Sequence, residues 1–207
     1  YISNAVQQGD ASLRPEKNSA FKIGSRYRQT GFSAVLSGFY THGKDMIDWV
    51  QTTETELTDS KYHVMNIGKL DNMGFNVDAE IYMNELLPRC FVTNIRLGYA
   101  YINQNHETET EILKSLYALE YLRHKAVFGL DHKIWSKLSA SWSVRWQQRM
   151  NGYHPYTKVD CKVMWNDRKY SVYVKADNIT CHRYYDLSAV KQPGLWVMAG
   201  VSVNLGW

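Results

Sequence analysis

Apolar and polar side chains alternate along most of this chain with a period of two residues. The pattern is clearest at Phe75–Met83, Leu138–Arg149 and Thr157–Asn166. Because successive side chains of a β-strand point to opposite faces, it predicts strands that have one apolar and one polar face. We predict about nine strands, at residues 20–29, 32–51, 61–83, 90–104, 117–131, 137–150, 157–166, 168–177 and 194–207.

The lengths of these strands and of their connections favour a membrane barrel. Many exceed the ~5–6 residues usual in globular proteins and fit the ~9–11 residues of a tilted membrane-crossing strand. Short turns at 30–31, 84–89, 132–136 and 166–167 alternate with longer loops near 52–60, 105–116, 151–156 and 178–193. Such alternation is typical of an up-and-down barrel. Residues 111–122 also fit an amphipathic helix, but we favour a loop followed by a strand from about Tyr117.

Alternation by itself is shared by a soluble β-sandwich and a membrane barrel, so the placement of aromatic residues matters. The chain contains 15 Tyr and 7 Trp among its 207 residues. Rings at both ends of apolar strands are typical of the two interfacial girdles of a membrane barrel. Aromatic residues at or near predicted strand ends are Tyr27, Tyr40, Trp49, Trp135, Trp146, Trp165, Tyr170 and Trp207.

These patterns predict an all-β protein, an antiparallel transmembrane β-barrel. A single-chain bacterial barrel has an even number of strands, whereas about nine are predicted here. An open sheet in lipid would leave unpaired backbone groups at two edges, which is very costly. We therefore expect other strands to complete the barrel. The last strand is expected to close it with an apolar face that consists of Leu195, Val197, Ala199, Val201, Val203, Leu205 and Trp207.

Several segments resemble TonB-dependent outer-membrane receptors when they are read in order. The stretch LRPEKNSAFKIGSRYRQTGFSAVLSGFYTHGKDMIDWV (13–50) resembles the family's Leu-x-Pro-Glu segment and the strands that follow it. HVMNIGKLDNMGFNVDAEIY (63–82) is similar to its Asn-Ile-Gly strand. YALEYLRHKAVFGLDHKI (117–134) and VKADNITCHRYYDLSAVKQPGLWVMAGVSVNLGW (174–207) are similar to its closing strands, although Ile179, Leu195 and Trp207 depart from the residues usual there.

This resemblance implies that residues 1–207 are the C-terminal part of a plugged barrel of about 22 strands. The plug domain, the N-terminal strands and the TonB energy-coupling box would then lie outside this chain. The implied activity is import of a scarce nutrient across the bacterial outer membrane. The GKDMIDWV, NIGKLDNMG and YLRHK segments look most like the vitamin B12 (corrinoid) branch of Bacteroides-type receptors. Ferric siderophore receptors share much of the pattern and remain the alternative.

The implied partners are the remaining barrel strands, the plug, the TonB complex, a surface lipoprotein, outer-membrane lipid and a small ligand. Charged residues on the polar face are expected to point into the lumen and meet the plug, because a charge in lipid costs ~2–4 kcal/mol near the midplane. These residues are Asp78, Glu80, Arg145, Arg149, Asp160 and Lys175. Candidate ligand contacts in the loops are Asp45, Asp48, Trp49, Tyr153, His154, Tyr156, Tyr184 and Tyr185.

We expect neither catalysis nor a bound metal or cofactor. The sequence contains no GxGxxG, P-loop, HExxH or GxSxG motif, and its three cysteines form no CxxC pair. The net charge of +4 is spread along the chain, so nucleic acid is not an expected partner. Two other classes stay open at this point: a small stand-alone membrane barrel or adhesin, and a soluble β-sandwich that binds carbohydrate.

Overall fold

The computed structural model describes residues 3–108, 110–116, 122–150, 154–185 and 191–204. Within these ranges the chain forms thirteen strands and two short helices. In chain order they are β1 (Gln7–Gln8), β2 (Lys17–Gln29), β3 (Phe32–Lys44), β4 (Ile47–Thr52), α1 (Thr53–Thr58), β5 (Tyr62–Asn66), β6 (Lys69–Tyr82), α2 (Met83–Leu86), β7 (Val92–Glu107), β8 (Ile112–Ser115), β9 (Leu122–Lys133), β10 (Leu138–Arg149), β11 (Tyr156–Asn166), β12 (Tyr170–Asp177) and β13 (Trp196–Val203).

The long strands form one nine-stranded antiparallel sheet in the order β13-β12-β11-β10-β9-β7-β6-β3-β2. Each long strand therefore pairs with the next long strand of the chain, as in an up-and-down barrel wall. These nine strands correspond one to one with the nine predicted from the alternation, and the all-β antiparallel prediction is confirmed. In the described part of the chain the sheet is open, with β2 and β13 at its two edges.

The register keeps apolar side chains on one face of the sheet, which we call the apolar face. Leu36 lies opposite Ser25 on β2 and Val77 on β6, and Val77 lies opposite Tyr99 on β7. Large side chains on this face remain open to the surroundings: Phe21 is 66% exposed and Leu36 54% exposed. In a water-soluble sandwich such side chains would be covered by a second sheet.

A second sheet, in the order β1-β5-β4-β8, lies beyond the loop ends of β3 and β6. We call it the loop sheet. The sequence analysis did not predict it, and it corrects two strand predictions. Residues 32–51 form two strands because the chain turns at Asp45, whose φ is 52°. Residues 61–83 also form two, with a break at Gly68, whose φ is 93°.

Two smaller corrections concern positions close to the predicted strand ends. Trp49 lies in β4 of the loop sheet, so it is not at the end of a long strand as predicted. The 84–89 turn begins with helix α2, and Glu85 Oε2 accepts a hydrogen bond from the backbone N–H of Gly31 at 2.7 Å.

Strand β8 occupies part of the ambiguous 111–122 segment, and residues 117–121 lie outside the described residues. Leu205 and Trp207, assigned to the closing strand, also lie outside them.

The main buried apolar cluster sits where the loop sheet meets the long strands. Val50, Ile67 and Leu70 are at most 4% exposed, and Met46 and Met65 pack against them. Because Val50 belongs to the loop sheet and Leu70 to β6, this cluster joins the two sheets. Among the described residues, no helix has the length and hydropathy required to cross a membrane.

Aromatic rings lie along the apolar face from the short turns to the loops. Near the short turns, the rings of Tyr27 and Phe32 lie 6.3 Å apart. Toward the loops, Tyr101 and His124 have ring centroids 5.0 Å apart, and the Tyr99 hydroxyl lies 2.7 Å from His124 Nδ1. Phe75 and Tyr99, in the middle of β6 and β7, also have ring centroids 5.8 Å apart, so rings occupy the centre of the face as well as its two ends.

Two neighbouring turns are linked by an ion pair. Lys137 Nζ lies 2.6 Å from Asp167 Oδ2, and Lys137 O accepts a hydrogen bond from Asn166 N at 2.8 Å. The hydrogen bond from Lys137 is the main cause that lowers the pKa of the Asp167 carboxyl, with a second from the Arg168 backbone N–H. The same contact raises the pKa of Lys137.

We expect an arginine on the apolar face to be far more damaging than one on the polar face. Val144→Arg, near the middle of β10, should lower the free energy of unfolding of the intact receptor by ~2–4 kcal/mol. Ser143→Arg, one residue away on the other face, should change it much less. Urea titration after refolding into lipid vesicles measures both. Equal losses for the two variants would contradict the assignment of the faces.

We expect the Lys137–Asp167 link to weaken in acid. A carboxyl whose pKa is lowered by folding stabilises the folded state above its unfolded pKa of ~3.9, and this contribution is lost as the pH falls through the lowered value. Hydrogen exchange at residues 134–137 should therefore be faster at pH 3 than at pH 7 after correction for the intrinsic rate. Asp167→Asn should show the faster exchange already at pH 7, whereas unchanged exchange would show that the pair does not hold the turns.

Candidate functional site on the polar face and in the loops

The polar face of the nine-stranded sheet surrounds a concavity of about 830 Å³. Five charged residues from four strands line it, namely Lys22, Asp78, Glu80, Arg96 and Lys125. Small residues, among them Gly98 and Gly129, lie between them. A Cβ at position 129 would come within 2.8 Å of Arg96 Nε, so the absence of a side chain there leaves room for the guanidinium.

Glu80 organises the short-turn side of this concavity. Its Oε1 accepts a hydrogen bond from Asn94 Nδ2 at 2.6 Å, and its Oε2 accepts one from the Tyr82 hydroxyl at 2.7 Å. Nearby, Arg96 Nη2 lies 3.1 Å from Asp131 Oδ2. Hydrogen bonds and an ion pair between adjacent strands therefore hold the Glu80, Arg96 and Asp131 side chains in place.

A second charged group lies on β11 and β12. Lys158 and Asp160 form an ion pair at 3.4 Å, with side chains only 15% and 12% exposed. Lys175 and Asp177 form another at 3.0 Å. The strand register places five of the six predicted lumen-facing residues on the polar face, namely Asp78, Glu80, Arg145, Asp160 and Lys175. The sixth, Arg149, is 7% exposed and lies where the register between β10 and β9 shifts.

An aromatic stack stands at the loop end of the polar face. Tyr156 is 6% exposed and stacks on Tyr184, with ring centroids 4.5 Å apart and an interplanar angle of 27°. The His182 ring also stacks on Tyr156, with ring centroids 6.3 Å apart. A cleft of about 230 Å³ lies beside the stack, with Tyr184, Lys158 and Trp196 in its lining. It offers flat apolar surface next to charged groups.

Asn178 holds the loop that carries Tyr184. It is 1% exposed and has a φ of 54°, a conformation that Asn tolerates better than most residues. Its Nδ2 donates to His182 O at 2.9 Å and to Pro193 O at 3.3 Å, and its Oδ1 accepts from His182 N at 3.1 Å. Its own N–H donates to Asp160 Oδ1 at 2.8 Å. The side chain thus joins the two ends of the loop to each other, and the backbone N–H ties this turn to β11.

The other group of predicted ligand contacts lies in and next to the loop sheet. Asp45 Oδ1 forms an ion pair with Arg14 Nη2 at 2.9 Å. Asp48 is 1% exposed and its carboxylate accepts a hydrogen bond from the hydroxyl of Ser115 on β8. Trp49 follows it in β4. The Asp48 carboxylate therefore lies inside the loop sheet, where its bond to Ser115 joins β4 to β8.

The structure thus brings Tyr156 and Tyr184 together but keeps them apart from the loop-sheet residues along the sheet. Strands β6, β7, β9 and β10 lie between β3, which leads into the loop sheet, and β11. His154 is exposed, Tyr185 is 43% exposed, and Tyr153 lies outside the described residues. Their roles as ligand contacts stay predictions.

A family model described as "TonB dependent receptor-like, beta-barrel" matches residues 1–179 of the chain. The chain belongs to the TonB-dependent receptor β-barrel family. The family resemblance inferred from the sequence is therefore confirmed, and the two-faced sheet is a section of a TonB-dependent receptor barrel wall.

Solved structures of several receptors show the same fold. The copper transporter OprC superposes with a TM-score of 0.71 at 15% identity, covering 95% of this chain and 33% of that one. The FrpB iron transporter from Neisseria meningitidis (F3-3 variant) gives 0.70 at 16%, with 95% and 31% covered. The ferric yersiniabactin uptake receptor FyuA from Yersinia pestis gives 0.60 at 17%, with 90% and 29% covered. The chain thus spans about a third of these receptors.

Sequence reasoning missed four residues of the loop-end site: Lys158, Asp177, Asn178 and His182. Asp177, Asn178 and His182 belong to the VKADNITCHRYYD stretch that carries the receptor resemblance, so a signal was present. Their contact with β11 depends on a turn at Asn178 that alternation does not encode. In the described portion of the receptor chain, no three His, Cys, Asp or Glu side chains are close enough to hold a metal ion.

We expect Asn178→Ala to loosen the 178–194 loop while leaving the barrel intact. It removes the buried side-chain hydrogen bonds, worth about 1 kcal/mol each, and strains a positive-φ position by ~1–2 kcal/mol. Limited proteolysis of the intact receptor should cut this loop at least tenfold faster. Asn178→Gly adopts the positive φ without strain, so its faster cleavage should reflect only the lost side-chain hydrogen bonds. Cleavage at the wild-type rate in both variants would contradict the anchoring role.

Proposed function

We propose that this chain is the C-terminal part of the wall of an outer-membrane transporter that imports a scarce nutrient. The observation that carries the proposal is the two-faced sheet: large apolar side chains are exposed on one face, while ion pairs and a concavity of about 830 Å³ occupy the other. Such a sheet suits a wall between lipid and a polar lumen. Membership of the TonB-dependent receptor family supports the proposal that the TonB system supplies the energy for import.

The polar face is the proposed contact surface for the plug domain. Arg145 Nε is buried and has no hydrogen-bond partner among the described residues. A buried guanidinium nitrogen without an acceptor costs free energy, so an acceptor supplied by another segment would stabilise it. On the adjacent strand β11, Lys158 lies directly opposite Arg145 and Asp160 lies opposite Ser143, so both add polar groups to the same face. The remaining barrel strands would pair with the edges of β2 and β13.

The proposed ligand contacts are Tyr156 and Tyr184 at the loop end of the lumen. Stacked tyrosines give contact area at low entropic cost, and the Lys158–Asp160 ion pair beside them adds polar groups to the site. We propose a corrinoid as the ligand because the sequence segments resemble that branch of the family. A surface lipoprotein that covers the loops is part of the same proposal.

A ferric siderophore is the second candidate. Structural neighbours include the siderophore receptor PirA from Pseudomonas aeruginosa, with a TM-score of 0.64 at 16% identity, and the ferric yersiniabactin receptor FyuA. At such identities the likeness concerns the fold. The two candidates differ in their ligands and share the same barrel, so direct binding separates them.

We expect the intact receptor to bind cyanocobalamin more tightly than ferric enterobactin. The double variant Tyr156→Ala/Tyr184→Ala should weaken binding of the preferred ligand about 10- to 30-fold, because buried aromatic anchors contribute ~1–2 kcal/mol or more. Isothermal titration calorimetry measures both affinities. Tyr170→Ala, which removes a ring from the apolar face near a short turn, is the matched control and should bind like the wild type.

The outcomes separate the parts of the proposal. Preference for ferric enterobactin would replace the corrinoid by a siderophore and leave the import function in place. Binding of neither ligand by the wild type would contradict both ligand proposals. Unchanged affinity in the double tyrosine variant would move the ligand contacts away from the β11 stack.

A further inference from the structure

A row of charged side chains crosses the apolar face at its loop end. Lys17 on β2 lies directly opposite Lys44 on β3, and Lys69 on β6 lies opposite Glu107 on β7. Since Gly43 pairs with Leu70, Lys69 is the β6 residue beside Lys44. The row therefore contains three lysines and one glutamate on four consecutive strands.

Only part of this row is neutralised. Lys69 Nζ lies 2.9 Å from Glu107 Oε2, so that pair is satisfied. Asp71, on the same face, accepts a hydrogen bond from the Tyr40 hydroxyl at 2.7 Å and lies 2.7 Å from His42 Nδ1. Lys17 and Lys44 are exposed, and neither has an ion-pair partner in the described part of the chain. Like charges directly opposite on paired strands repel each other.

The position of Lys44 within the sheet makes this excess charge informative. Strand β3 is flanked on both sides by described strands, β2 and β6, whereas β2 is an edge. Strands that complete the barrel would therefore pair with β2 and leave the surroundings of Lys44 as they are. Because Lys44 is exposed, a counter-charge can reach it from the side that the apolar face presents.

The row also lies at the depth of lipid headgroups. The apolar band of an outer-membrane barrel is ~25 Å tall, and strands tilted by ~35–45° cross it in roughly ten residues. Counted from Phe32, at the short-turn end of β3, the band ends close to His42. Lys44 is the next residue on that face, and its long stem lets the ammonium group adjust its height. Below it, Phe21 and Tyr40 are 66% and 43% exposed.

We propose that Lys17 and Lys44 bind the phosphate group of a lipid in the outer leaflet. Two ammonium groups on adjacent strands can donate charge-assisted hydrogen bonds to the same phosphate, which removes their mutual repulsion. The acyl chains of the lipid then lie along Phe21, Ile23 and Leu36 on the apolar face. This site is on the outside of the barrel and does not depend on which nutrient the lumen carries.

Native mass spectrometry of the intact detergent-purified receptor tests this site. The probe is dioleoyl phosphatidic acid, and dioleoyl phosphatidylcholine has the same chains without net negative charge. The wild type should retain phosphatidic acid preferentially. Lys17→Gln/Lys44→Gln should lower its apparent affinity about tenfold, and Lys17→Arg/Lys44→Arg should preserve it. Lys61→Gln/Lys191→Gln removes the same charge from loop positions and should behave like the wild type.

Several results would overturn the proposal. They are equal retention of the two lipids by the wild type, full retention by the double glutamine variant, or an equal loss in the loop control. Displacement of phosphatidic acid by millimolar inorganic phosphate would show a free-anion site instead of a lipid site. The heat-dependent shift in gel mobility checks that each variant is folded. If the double variant fails this check, Lys44→Gln alone is measured, and its apparent affinity for phosphatidic acid should fall about threefold.

Discussion

Backbone hydrogen bonding in an apolar medium is the constraint on which the rest of this structure depends. Hydrocarbon offers no partner to an N–H or C=O group, so each strand must pair with a neighbour along its whole length. The nine long strands meet this demand through continuous antiparallel registers such as Lys17–Gln29 on Phe32–Lys44. Once the pairing is set, the period of two sends Leu36 and Val77 to one side and Ser37 and Asn76 to the other.

The same constraint explains why so much of the fold could be predicted from the sequence. A wall strand must alternate over its full length, and Leu138–Arg149 does so with Ala140, Trp142 and Val144 against serines and Arg145. The loop sheet is different because it is stabilised by a local cluster around Val50 and Ile67. Its strands are short and continue the pattern of β3 and β6. Only the positive φ angles at Asp45 and Gly68 separate β4 from β3 and β5 from β6, and the alternation of side chains does not encode those angles.

In the candidate sites, too, some residues could be assigned from the sequence pattern and others could not. The charged residues of the polar face could be assigned from the pattern, since Asp78 and Glu80 alternate with apolar neighbours. The stack of Tyr184 on Tyr156 could not, because it depends on how Asn178 turns the chain back toward β11. Burial of Asp48 against Ser115 was also hidden, since the two residues are distant in sequence and meet only through the pairing of β4 with β8.

The junction between β3 and the loop sheet has a mechanical consequence. Ladder-like hydrogen bonds continue across it, from Ile67 N to Met46 O at 2.7 Å and from Met46 N to Gly68 O at 3.3 Å. The backbone of Glu107 lies so close to Gly68 that no side chain would fit there. Residues 45–67 therefore extend the β3–β6 hairpin through continuous backbone hydrogen bonds. We expect a displacement of the loop sheet to move the ends of β3 and β6 with it.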